Sequence, residues 1–565
     1  MIKQNIKNKI PDIIFWATAL IILFWAFGDR GLGGSEDRWA EVTRQMFLTG
    51  DFFHPRINAA PYFDKPLLSY WFVALVSAVT GHLDEWAVRL PSALSGLLVL
   101  GATFSLGRKL WSEEVGRTAG WILLTTYGFI FWSRLGEADM ANLAAITLAV
   151  AWYWNHSEKP GFLNYLVFYV IISLGAQTKG LASIIVPIII ILPDVLRDHR
   201  WKSHLNISHF LAVVLACLVY FAPFLYADFT REGYQSGGLS MVFKENIQRF
   251  IKPFDHKEPF YVYMYYVPEL FLPWAPLFLA ALFWAIVPLK GIKNLDRGKR
   301  WLIDALGLIF LFFTASGSRR VYYILPIIPF CSLLTSLFIN SNAKQEFKNI
   351  AIGFQGLVFV LFGMIGIFSP AFWPIIKERI GFAPGIDFML TLPIIGILTL
   401  TPLLIRFIKP AILAKFLGTE KIIAHIILMA AVIMGGFFCF NYVILDDYRT
   451  TKPFAIELKN QTADLSPKHI AFYRKIKNDV VFYLDASEPI RVLEDSEAVK
   501  NFFSSDNEDK ILISYRKYTD ELSEALPLNL KIKNILKEKI YPWTPEQSFT
   551  SKLVAWRINF GEKVL

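Results

Sequence analysis

The chain has 565 residues, of which 54% are hydrophobic and only 18% are charged, and its mean hydropathy is +0.42. Soluble domains carry about 25% charged residues, so this composition excludes an ordinary soluble protein and indicates many membrane-spanning helices. The net charge of +10 is first explained by basic cytoplasmic loops and only second by an anionic ligand. No nucleic-acid partner is expected.

The apolar runs predict an all-α polytopic membrane protein. Crossing a bilayer takes about 17–25 apolar residues, and about 13 runs near that length occur in the chain. The first follows a basic stretch, "MIKQNIKNKIPD", without a small-residue cleavage site, so we expect a retained span rather than a signal peptide. The candidate spans lie near residues 11–27, 90–107, 117–133, 140–155, 161–177, 180–196, 207–227, 268–289, 301–316, 322–340, 350–374, 387–407 and 421–444.

One further apolar run, residues 66–81, is ambiguous, and the charges of the loops decide how it is interpreted. If the N-terminus is cytoplasmic and 66–81 lies at the membrane interface, the most basic loops all face the cytoplasm. If 66–81 spans the membrane, they all face outward. The positive-inside tendency favours the interfacial helix and places the segment after about residue 448 outside. These loops carry Arg108/Lys109/Arg117, Arg197/Arg200/Lys202, Lys290/Lys293/Arg297/Lys299/Arg300 and Arg406/Lys409/Lys415/Lys421.

The C-terminal segment differs in composition from the rest of the chain. Short runs rich in β-branched and aromatic residues, "HIAFYRK", "DVVFYLD" and "KILISYR", alternate with the helix-like "SEAVKNFFSS" and "YTDELSEAL". Strands interleaved with helices predict a small α/β domain. We therefore expect a transmembrane domain over residues 1–448, with outer loops at 28–89 and 228–267, and an α/β accessory domain outside the membrane over 449–565.

The predicted topology gathers four polar segments on the outer face: residues 28–65, 133–142, 228–267 and 316–323. Charged side chains at a membrane boundary are costly unless they are paired or solvated, so such a cluster indicates a functional site. The carboxylates are Glu36, Asp37, Asp64, Glu137 and Asp139, and the cations are Arg38, Lys65, Lys179, Arg249, Arg319 and Arg320.

This mixture of charges suits two chemical tasks. A partly desolvated carboxylate can act as a general base for a hydroxyl. Arginine and lysine can hold an anionic leaving group such as a phosphate. Nearby aromatic residues could stack on sugar faces or line a lipid groove; they are Tyr62, Phe63, Tyr70, Trp71, Tyr322 and Tyr323.

Structural and non-enzymatic interpretations compete with this one. Arg38 and Glu41 are three residues apart and could form a solvated helix pair, and Arg319 and Arg320 could snorkel at the end of a span. A transporter for an anionic lipid would favour charges within the spans, which are nearly free of acidic residues. A membrane scaffold would not need carboxylates and cations gathered on one face.

Four blocks of the sequence resemble a known family in the same order. They are "SEDRWAEVTRQM" with "YFDKPLLSYW", "RLGEADMANLAAITLA", "QTKGLASIIVP" with "NIQRF", and "SGSRRVYYILP". They resemble the bacterial members of the protein O-mannosyltransferase superfamily, with the closest match to the 4-amino-4-deoxy-L-arabinose (aminoarabinose) lipid A transferases. The resemblance covers about residues 10–345.

The resemblance implies a GT-C fold in the bacterial inner membrane. Such an enzyme takes a sugar from a polyprenyl phosphate and passes it to an acceptor, here lipid A or another envelope glycolipid, at a periplasmic active site. The family's acidic pair, often Asp-Glu, is Ser35-Glu36 here. The resemblance assigns catalysis to Glu36, with Asp37 beside it, and to Asp139. It assigns phosphate binding to Lys65 and Arg249 and the lining of the lipid-phosphate cavity to Tyr323. The chemistry of the outer segments adds Arg38, Tyr62, Arg319 and Arg320 as candidate substrate-binding residues.

The resemblance also raises the question of a metal. In the aminoarabinose transferases, the acid before the lysine joins a histidine to bind zinc. That acid is Asp64 here, but Asn246 takes the place of the histidine, which leaves His256 as the alternative ligand. We expect no tightly bound zinc. An oligosaccharyltransferase, a protein O-mannosyltransferase-like enzyme and a lipid-phosphate transporter remain the alternatives, and the sugar stays open.

Overall fold

The computed structural model describes residues 2–559 except 159–160, 198–199, 231–237, 253–255, 288–295, 381–384, 409, 447–448, 506–507, 526–530 and 541–550.

Helices dominate the chain as far as Asp446. They are α1 (Ile2–Phe24), α2 (Glu36–Thr49), α3 (Leu68–Thr80), α4 (Glu85–Leu110), α5 (Glu113–Leu124), α6 (Tyr127–Ser133), α7 (Asp139–His156), α8 (Phe162–Ala176), α9 (Ala182–Arg197), α10 (Ile207–Phe229), α11 (Leu239–Val242), α12 (Arg249–Ile251), α13 (Tyr263–Leu270), α14 (Ala275–Ile286), α15 (Arg297–Ala315), α16 (Ile328–Ile339), α17 (Gln345–Ile380), α18 (Ile386–Ile408), α19 (Pro410–Leu417), α20 (Lys421–Gly436) and α21 (Tyr442–Asp446). A short hairpin, β1 (Arg56–Ile57) and β2 (Ala60–Pro61), lies between α2 and α3. Residues Phe243–Gln248 and Phe437–Asn441 are π-helical, and Arg200–His204 and Val321–Ile327 are 3-10 helical.

Local sequence signals set many of these helix ends. The side chains of Asp84, Ser112 and Asn206 accept the backbone N–H three residues further on, at 2.9, 3.2 and 2.9 Å, and so begin α4, α5 and α10. Helices α2 and α3 end at Gly50 and Gly81, whose φ angles of 70° and 77° are readily adopted by glycine.

Six helical segments in the described residues are long and apolar enough to cross a membrane, or seven if α13 and α14, bent by 119°, form one broken span. They are Glu85–Leu110, Ile207–Phe229, Val321–Ile339, Gln345–Arg379, Ile386–Arg406 and Lys421–Asp446. Other predicted spans occur as shorter helices, such as the 15 residues of α8 and the 16 of α9. The helical membrane fold is therefore confirmed, whereas the count of about 13 spans stays a prediction.

The ambiguous run 66–81 forms α3, a helix of 13 residues. At 1.5 Å per residue α3 is about 20 Å long, which is short of the roughly 30 Å hydrocarbon core. It packs against α2 and α4. Its length agrees with the interpretation of 66–81 as an interfacial helix.

Glycines allow the closest helix crossings in the bundle. A Cβ on Gly107 of α4 would lie 2.6 Å from the Cα of Gly116 in α5, and a Cβ on Gly396 of α18 would lie 2.5 Å from the carbonyl oxygen of Gly363 in α17. Larger residues would push these pairs apart. Small residues at helix interfaces are typical of membrane bundles, where close packing contributes to association.

The two ends of the bundle differ in charge and in loop structure. At one end, Arg117 donates to Asp12 at 3.0 Å and to the carbonyl of Gly418 at 3.2 Å, and Arg297 donates to Asp194 at 2.6 Å. Described residues of three predicted basic loops, Arg117, Arg297 and Gly418, thus lie at this end, where Gly298 lies against Trp111. The polar segments that were predicted to share the outer face lie at the opposite end.

The C-terminal segment forms a mixed sheet with helices on both faces. Its elements are α22 (Lys452–Gln461), β3 (Ile470–Tyr473), α23 (Asn478–Leu484), β4 (Arg491–Leu493), α24 (Ser496–Ser504), β5 (Lys510–Tyr515), α25 (Thr519–Ala525), β6 (Lys531–Lys537) and β7 (Leu553–Asn559). The strand order is β4-β3-β5-β7-β6, with β3 parallel to β4 and β5 and with β7 antiparallel to β5 and β6.

Successive side chains of a strand point to opposite faces of this sheet, and apolar side chains cover both faces. Ile470 and Phe472 of β3 pack in the cluster that contains α22 and α23, whereas Ala471 and Tyr473 pack in the cluster that contains α24 and α25. The runs "HIAFYRK" and "KILISYR" contain the strands β3 and β5 as predicted, but "DVVFYLD", which was expected to be a strand, forms α23. Its apolar residues Val480, Val481 and Leu484 lie at helical spacing and pack against one face of the sheet. The status of residues 449–565 as a separate accessory domain stays a prediction.

The C-terminal segment packs on the first polar loop. The hydroxyl of Tyr483 accepts from the backbone N–H of Leu32 at 2.7 Å and donates to Glu85 at 2.8 Å. The side chain of Asn58 exchanges two hydrogen bonds with the backbone of Ile490, at 2.7 and 2.8 Å. The first loop is thus held between the helical bundle and the C-terminal sheet.

Candidate active site

A cavity of about 720 Å³ lies where the four polar segments meet. Its walls come from the start of α2, the turn before α3, the α6–α7 and α8–α9 connections, residues in the range 244–251, the end of α15, and Ser316, Ser318 and Tyr322. Its charged lining consists of Arg38, Asp64, Lys65, Glu137, Asp139, Lys179, Lys244, Glu245 and Arg249. His256 and Tyr323 also line it.

Two cations share one carboxylate on the first wall. Arg249 Nη1 donates to Glu245 Oε2 at 2.6 Å, and Lys65 Nζ lies 3.8 Å from the same oxygen and 3.4 Å from Asp64 Oδ2. Burial raises the pKa of Glu245 although both cations oppose the shift. Lys65 and Arg249 therefore lie side by side in the cavity wall, and two neighbouring cations suit an incoming anion.

Arg38 is held beside this wall by a short hydrogen-bond chain. Its guanidinium donates to Ser35 Oγ at 2.6 Å and to Tyr62 Oη at 3.0 Å, and the Tyr62 hydroxyl donates to Asp64 at 3.1 Å. Burial and the Asp64 charge raise the pKa of Tyr62 to about 12. Burial alone would raise the pKa of Asp64, but Lys65 and the Tyr62 hydrogen bond lower it below its usual range. Asp64 therefore stays ionised and orients three neighbours.

The facing wall carries Asp139, Lys179 and Glu137. Lys179 Nζ forms an ion pair with Asp139 and lies 4.5 Å from the ring centre of Tyr322 and 5.4 Å from that of Tyr323. Burial and the neighbouring Asp139 raise the pKa of Glu137 to about 8, although Lys179 opposes the shift. The site thus combines the Asp139–Lys179 ion pair with a Glu137 carboxyl that is mostly neutral at pH 7.

The structure places Glu36 outside the cavity lining. Its side chain is fully buried and accepts bidentate hydrogen bonds from Arg89 at 2.8 and 2.9 Å. It also accepts the backbone N–H of Gly136 at 2.7 Å and of Gly33 at 3.1 Å. Burial would raise the pKa of Glu36, but Arg89 outweighs it and lowers the pKa. These bonds fasten α2 to α4 and leave Glu36 poorly placed to act as a base.

Asp37 also lies outside the cavity lining and faces the C-terminal segment. Burial and the charge of Asp479 raise its pKa to about 6, while Lys477 opposes the shift. Its Oδ1 is buried and has no hydrogen-bond partner among the described residues. Asp37 thus contributes to the contact between α2 and the sheet.

Arg319 and Arg320 do not line the cavity either. The Arg319 guanidinium donates to the carbonyls of Glu258 at 2.7 Å and Thr314 at 2.9 Å, and its backbone N–H donates to the carbonyl of His256. Arg319 therefore ties residues 256–258 to the end of α15. Arg320 is exposed.

The residues at the expected zinc position do not fit a metal. Asn246 Oδ1 accepts the backbone N–H of Leu181 at 2.8 Å, and its Nδ2 donates to the carbonyl of Val242 at 2.9 Å. Asp64 is engaged with Tyr62 and Lys65. No group of three or more Asp, Glu, His or Cys side chains in the described residues is placed to hold a metal ion. We derive no step through a metal, and the expectation of no tight zinc stays a prediction.

Sequence reasoning counted Glu137 and Lys179 among the charged candidates without giving either an individual role, and it missed Glu245. Glu245 precedes Arg249 by the four residues that place two side chains on one helical face. That spacing was the available signal for Glu245. The short bonds of Arg38 to Ser35 and Tyr62 had no comparable signal.

The chain is thus a helical membrane bundle with a cavity rich in charged side chains at one end. The structure is similar to the crystal structure of ArnT from Cupriavidus metallidurans bound to undecaprenyl phosphate, with a TM-score of 0.73 and 17% identity over 96% of this chain and 97% of that chain. At this identity the similarity concerns the fold.

Sequence comparisons agree with the fold. The profile of the family "Dolichyl-phosphate-mannose-protein mannosyltransferase" matches residues 64–226. An uncharacterised protein of Aquifex aeolicus is 27% identical over 64% of this chain and 69% of its own length. The undecaprenyl phosphate-alpha-4-amino-4-deoxy-L-arabinose arabinosyl transferase 2 of Pseudomonas fluorescens is 28% identical over 61% of this chain, which spans 62% of that relative. The predicted resemblance to the superfamily and its aminoarabinose transferases is thus confirmed.

Proposed function

We propose that this protein is a membrane glycosyltransferase that moves a sugar from a polyprenyl phosphate to an acceptor at the periplasmic face of the bacterial inner membrane. The observation that carries the proposal is the pair of cations, Lys65 and Arg249, that share Glu245 in the wall of one cavity. The ArnT structure, which has the same fold, was solved with undecaprenyl phosphate, and this supports a lipid phosphate as the anion.

The leaving group explains the need for these cations. As the bond between the sugar and the phosphate breaks, negative charge grows on the phosphate oxygens. Lys65 and Arg249, with Arg38 beside them, stabilise that charge because they are already oriented before the reaction begins. Since the lipid phosphate is the leaving group, no nucleotide is required.

The cavity best suits an acceptor whose reacting group is already anionic. In the described cavity lining, Asp64, Asp139 and Glu245 each contact a cation. Asp64 is a weak base because Lys65 and Tyr62 lower its pKa, and Glu137, with a pKa of about 8, is mostly protonated at pH 7. A neutral hydroxyl instead needs a general base that is ionised at the working pH. A phosphate oxygen needs no deprotonation at pH 7. This favours a phosphorylated glycolipid such as lipid A over a protein hydroxyl.

The finer topology is part of the same proposal. About 13 spans with an interfacial α3 would place the basic loops in the cytoplasm. The cavity and residues 449–565 would then face the periplasm. The grouping of the basic loops at the end of the bundle away from the cavity supports this arrangement.

Mass spectrometry of lipid A and of periplasmic glycoconjugates tests the proposal. Cells with the protein should contain lipid A species heavier by one sugar residue, and cells without it or with the Lys65→Ala variant should lack them. A sugar found instead on protein hydroxyls would support the protein O-mannosyltransferase-like alternative. Identical glycoconjugates in all three strains would contradict glycosyl transfer.

A further inference from the structure

A second cavity, of about 300 Å³, lies at the opposite ends of α7 and α9 from the candidate active site. We call it the aromatic cavity. Its walls are formed by the end of α7, the start of α8, the second half of α9 and residues 201–209. Cavities of this size that bind ligands are typically walled by apolar and aromatic side chains.

Two tyrosine–histidine hydrogen bonds lie within the wall of the aromatic cavity. The hydroxyl of Tyr169 pairs with His209 Nε2 at 2.6 Å, and the hydroxyl of Tyr165 pairs with His204 Nδ1 at 3.0 Å. The His209 ring stacks on Tyr165 with ring centres 4.5 Å apart. These bonds fix the rings, so that ring faces and aliphatic side chains form the surface that a ligand meets. The surface therefore suits a hydrocarbon ligand.

The flanks of the aromatic cavity face the lipid. Leu163 of α8 is 67% exposed, and Ile207 and Phe210 of α10 are 69% and 63% exposed. Large apolar side chains at this exposure are expected where a helix meets the hydrocarbon core. A ligand can therefore enter sideways from the bilayer.

The charge beside the aromatic cavity selects the headgroup. The connection after α9 carries Arg197, Arg200 and Lys202. Lys202 is exposed and lies 5.8 Å from the ring centre of Trp201, which lines the cavity. Basic groups next to pockets between membrane helices suit the headgroups of anionic lipids.

We propose that the aromatic cavity binds an acyl chain of an anionic phospholipid whose headgroup phosphate lies beside Lys202. The polyprenyl phosphate donor is the less suitable occupant, because its phosphate must reach Lys65 and Arg249 at the other end of the bundle. The site is independent of the proposed glycosyl transfer.

Photo-crosslinking of the full-length protein in nanodiscs tests this site. The probe is phosphatidylglycerol with a diazirine in its acyl chain, and crosslinks are expected on peptides that contain residues 152–169 and 201–209. Leu192 lines the cavity and is 46% exposed, so Leu192→Trp fills the entrance without disturbing the buried core. Labelling of these peptides should fall at least about tenfold, because losing even two buried methylenes changes affinity by that factor.

Leu215→Trp is the matched control, because Leu215 is 42% exposed on α10 and lies outside the cavity lining. It should leave labelling within about twofold. Ile188→Phe, which also lines the cavity, repeats the test with a smaller change, and size-exclusion profiles show that each variant is folded. Equal labelling of wild type and both cavity variants would overturn the site.

The headgroup is tested separately. Lys202→Glu should lower labelling by phosphatidylglycerol and leave labelling by the corresponding phosphatidylcholine probe unchanged. Equal labelling by the two probes in wild type would overturn the anionic assignment. Stronger labelling by a photoactivatable polyprenyl phosphate than by phosphatidylglycerol would overturn the choice of occupant. Donor turnover is not a readout here, so a failure would leave the proposed glycosyl transfer untouched.

Discussion

Lys65 owes its position to Asp64 and Glu245 and to Pro66, which fixes the backbone direction directly after it. Lys65→Ala removes a contact that strengthens as the leaving phosphate gains charge. We expect kcat for donor turnover to fall by about 10²–10³. Lys65→Arg should restore it only in part, because the planar guanidinium needs a different geometry from a point charge. Turnover of a polyprenyl-phosphate sugar by purified protein measures the effect.

Arg320→Ala is the control for Lys65, since Arg320 is exposed and lies outside the cavity lining. Its kcat should stay within about threefold of wild type, as is usual for surface substitutions. A Lys65→Ala protein that is folded and equally active would limit Lys65 to contact with lipid headgroups. A large loss in Arg320→Ala would restore the phosphate-binding role that the clustering of charges on the outer face suggested.

The raised pKa of Glu137 predicts that donor turnover depends on pH. Because burial and Asp139 raise its pKa to about 8, the carboxyl is neutral at pH 7 and ionises only as the pH rises through that value. The ionised form places a second negative charge beside Asp139 and an anionic substrate. We therefore expect kcat/KM to fall by about tenfold per pH unit on the alkaline side. A pH profile of donor turnover measures this limb.

Two variants separate the roles of the two acids. Glu137→Gln stays neutral, so it should keep most of the activity at pH 7 and lose the alkaline limb. Asp139→Asn removes a repulsive charge, so the limb should move to lower pH. Activity that rises with pH through about 8 would instead identify Glu137 as a base.

At the residue scale, sequence order indicated which types of residue would meet but not how each would be bonded. Lys65, Arg249 and Asp139 were expected at the site and do line the cavity. Glu36 was expected beside them, but Arg89, 53 residues away, occupies its carboxylate. Such a long-range partner has no local signature, because most arginines near a membrane boundary are candidates for it.

The first turn of α2 connects three parts of the protein. Successive helical residues are about 100° apart, so Glu36, Asp37 and Arg38 point in three directions. Glu36 binds Arg89 in α4, Asp37 faces the C-terminal segment, and Arg38 reaches the cavity. The position of Arg38 therefore depends on two contacts that lie outside the cavity.

Glu36→Gln tests whether the acid anchors α2 or acts as a base. As an anchor, its loss leaves the buried Arg89 charge without its partner, which typically costs about 3–5 kcal/mol of stability. The thermal midpoint should fall while kcat of the folded fraction changes little. Unchanged stability with a loss of about 10²–10⁴ in kcat would identify a catalytic base. Glu113→Gln is the matched control, because Glu113 is 58% exposed in its pair with Arg108.

Element lengths were less predictable than their order. The runs 161–177 and 180–196 were correctly placed as α8 and α9, but the connection between them is set by Gly180, whose φ is 143°. A Cβ at Gly180 would lie 2.3 Å from Asn246 Oδ1. The contact with Asn246, 66 positions further along the chain, thus sets where α9 begins. The hydropathy of the sequence does not predict such a contact.

On the scale of the whole molecule, the sidedness of the cavity and that of the C-terminal segment are linked. The sheet contacts the first loop through Tyr483, Arg44 and Asn58, with Arg44 donating to the carbonyl of Ala486 at 2.6 Å. The same loop supplies Arg38 and Lys65 to the cavity. Both must lie on one side of the membrane, so the location of the C-terminus reports the location of the cavity.

A reporter that is active only in the periplasm, fused after Leu565, should therefore be active. The same reporter fused after Lys344, in a connection near the basic end of the bundle, should be silent because that connection is predicted to be cytoplasmic. If the first fusion is silent and the second is active, the first loop, the cavity and the C-terminal sheet all face the cytoplasm. The proposed donor would then have to present its sugar in the inner leaflet, and the N-terminus, one span before the first loop, would have to face the periplasm.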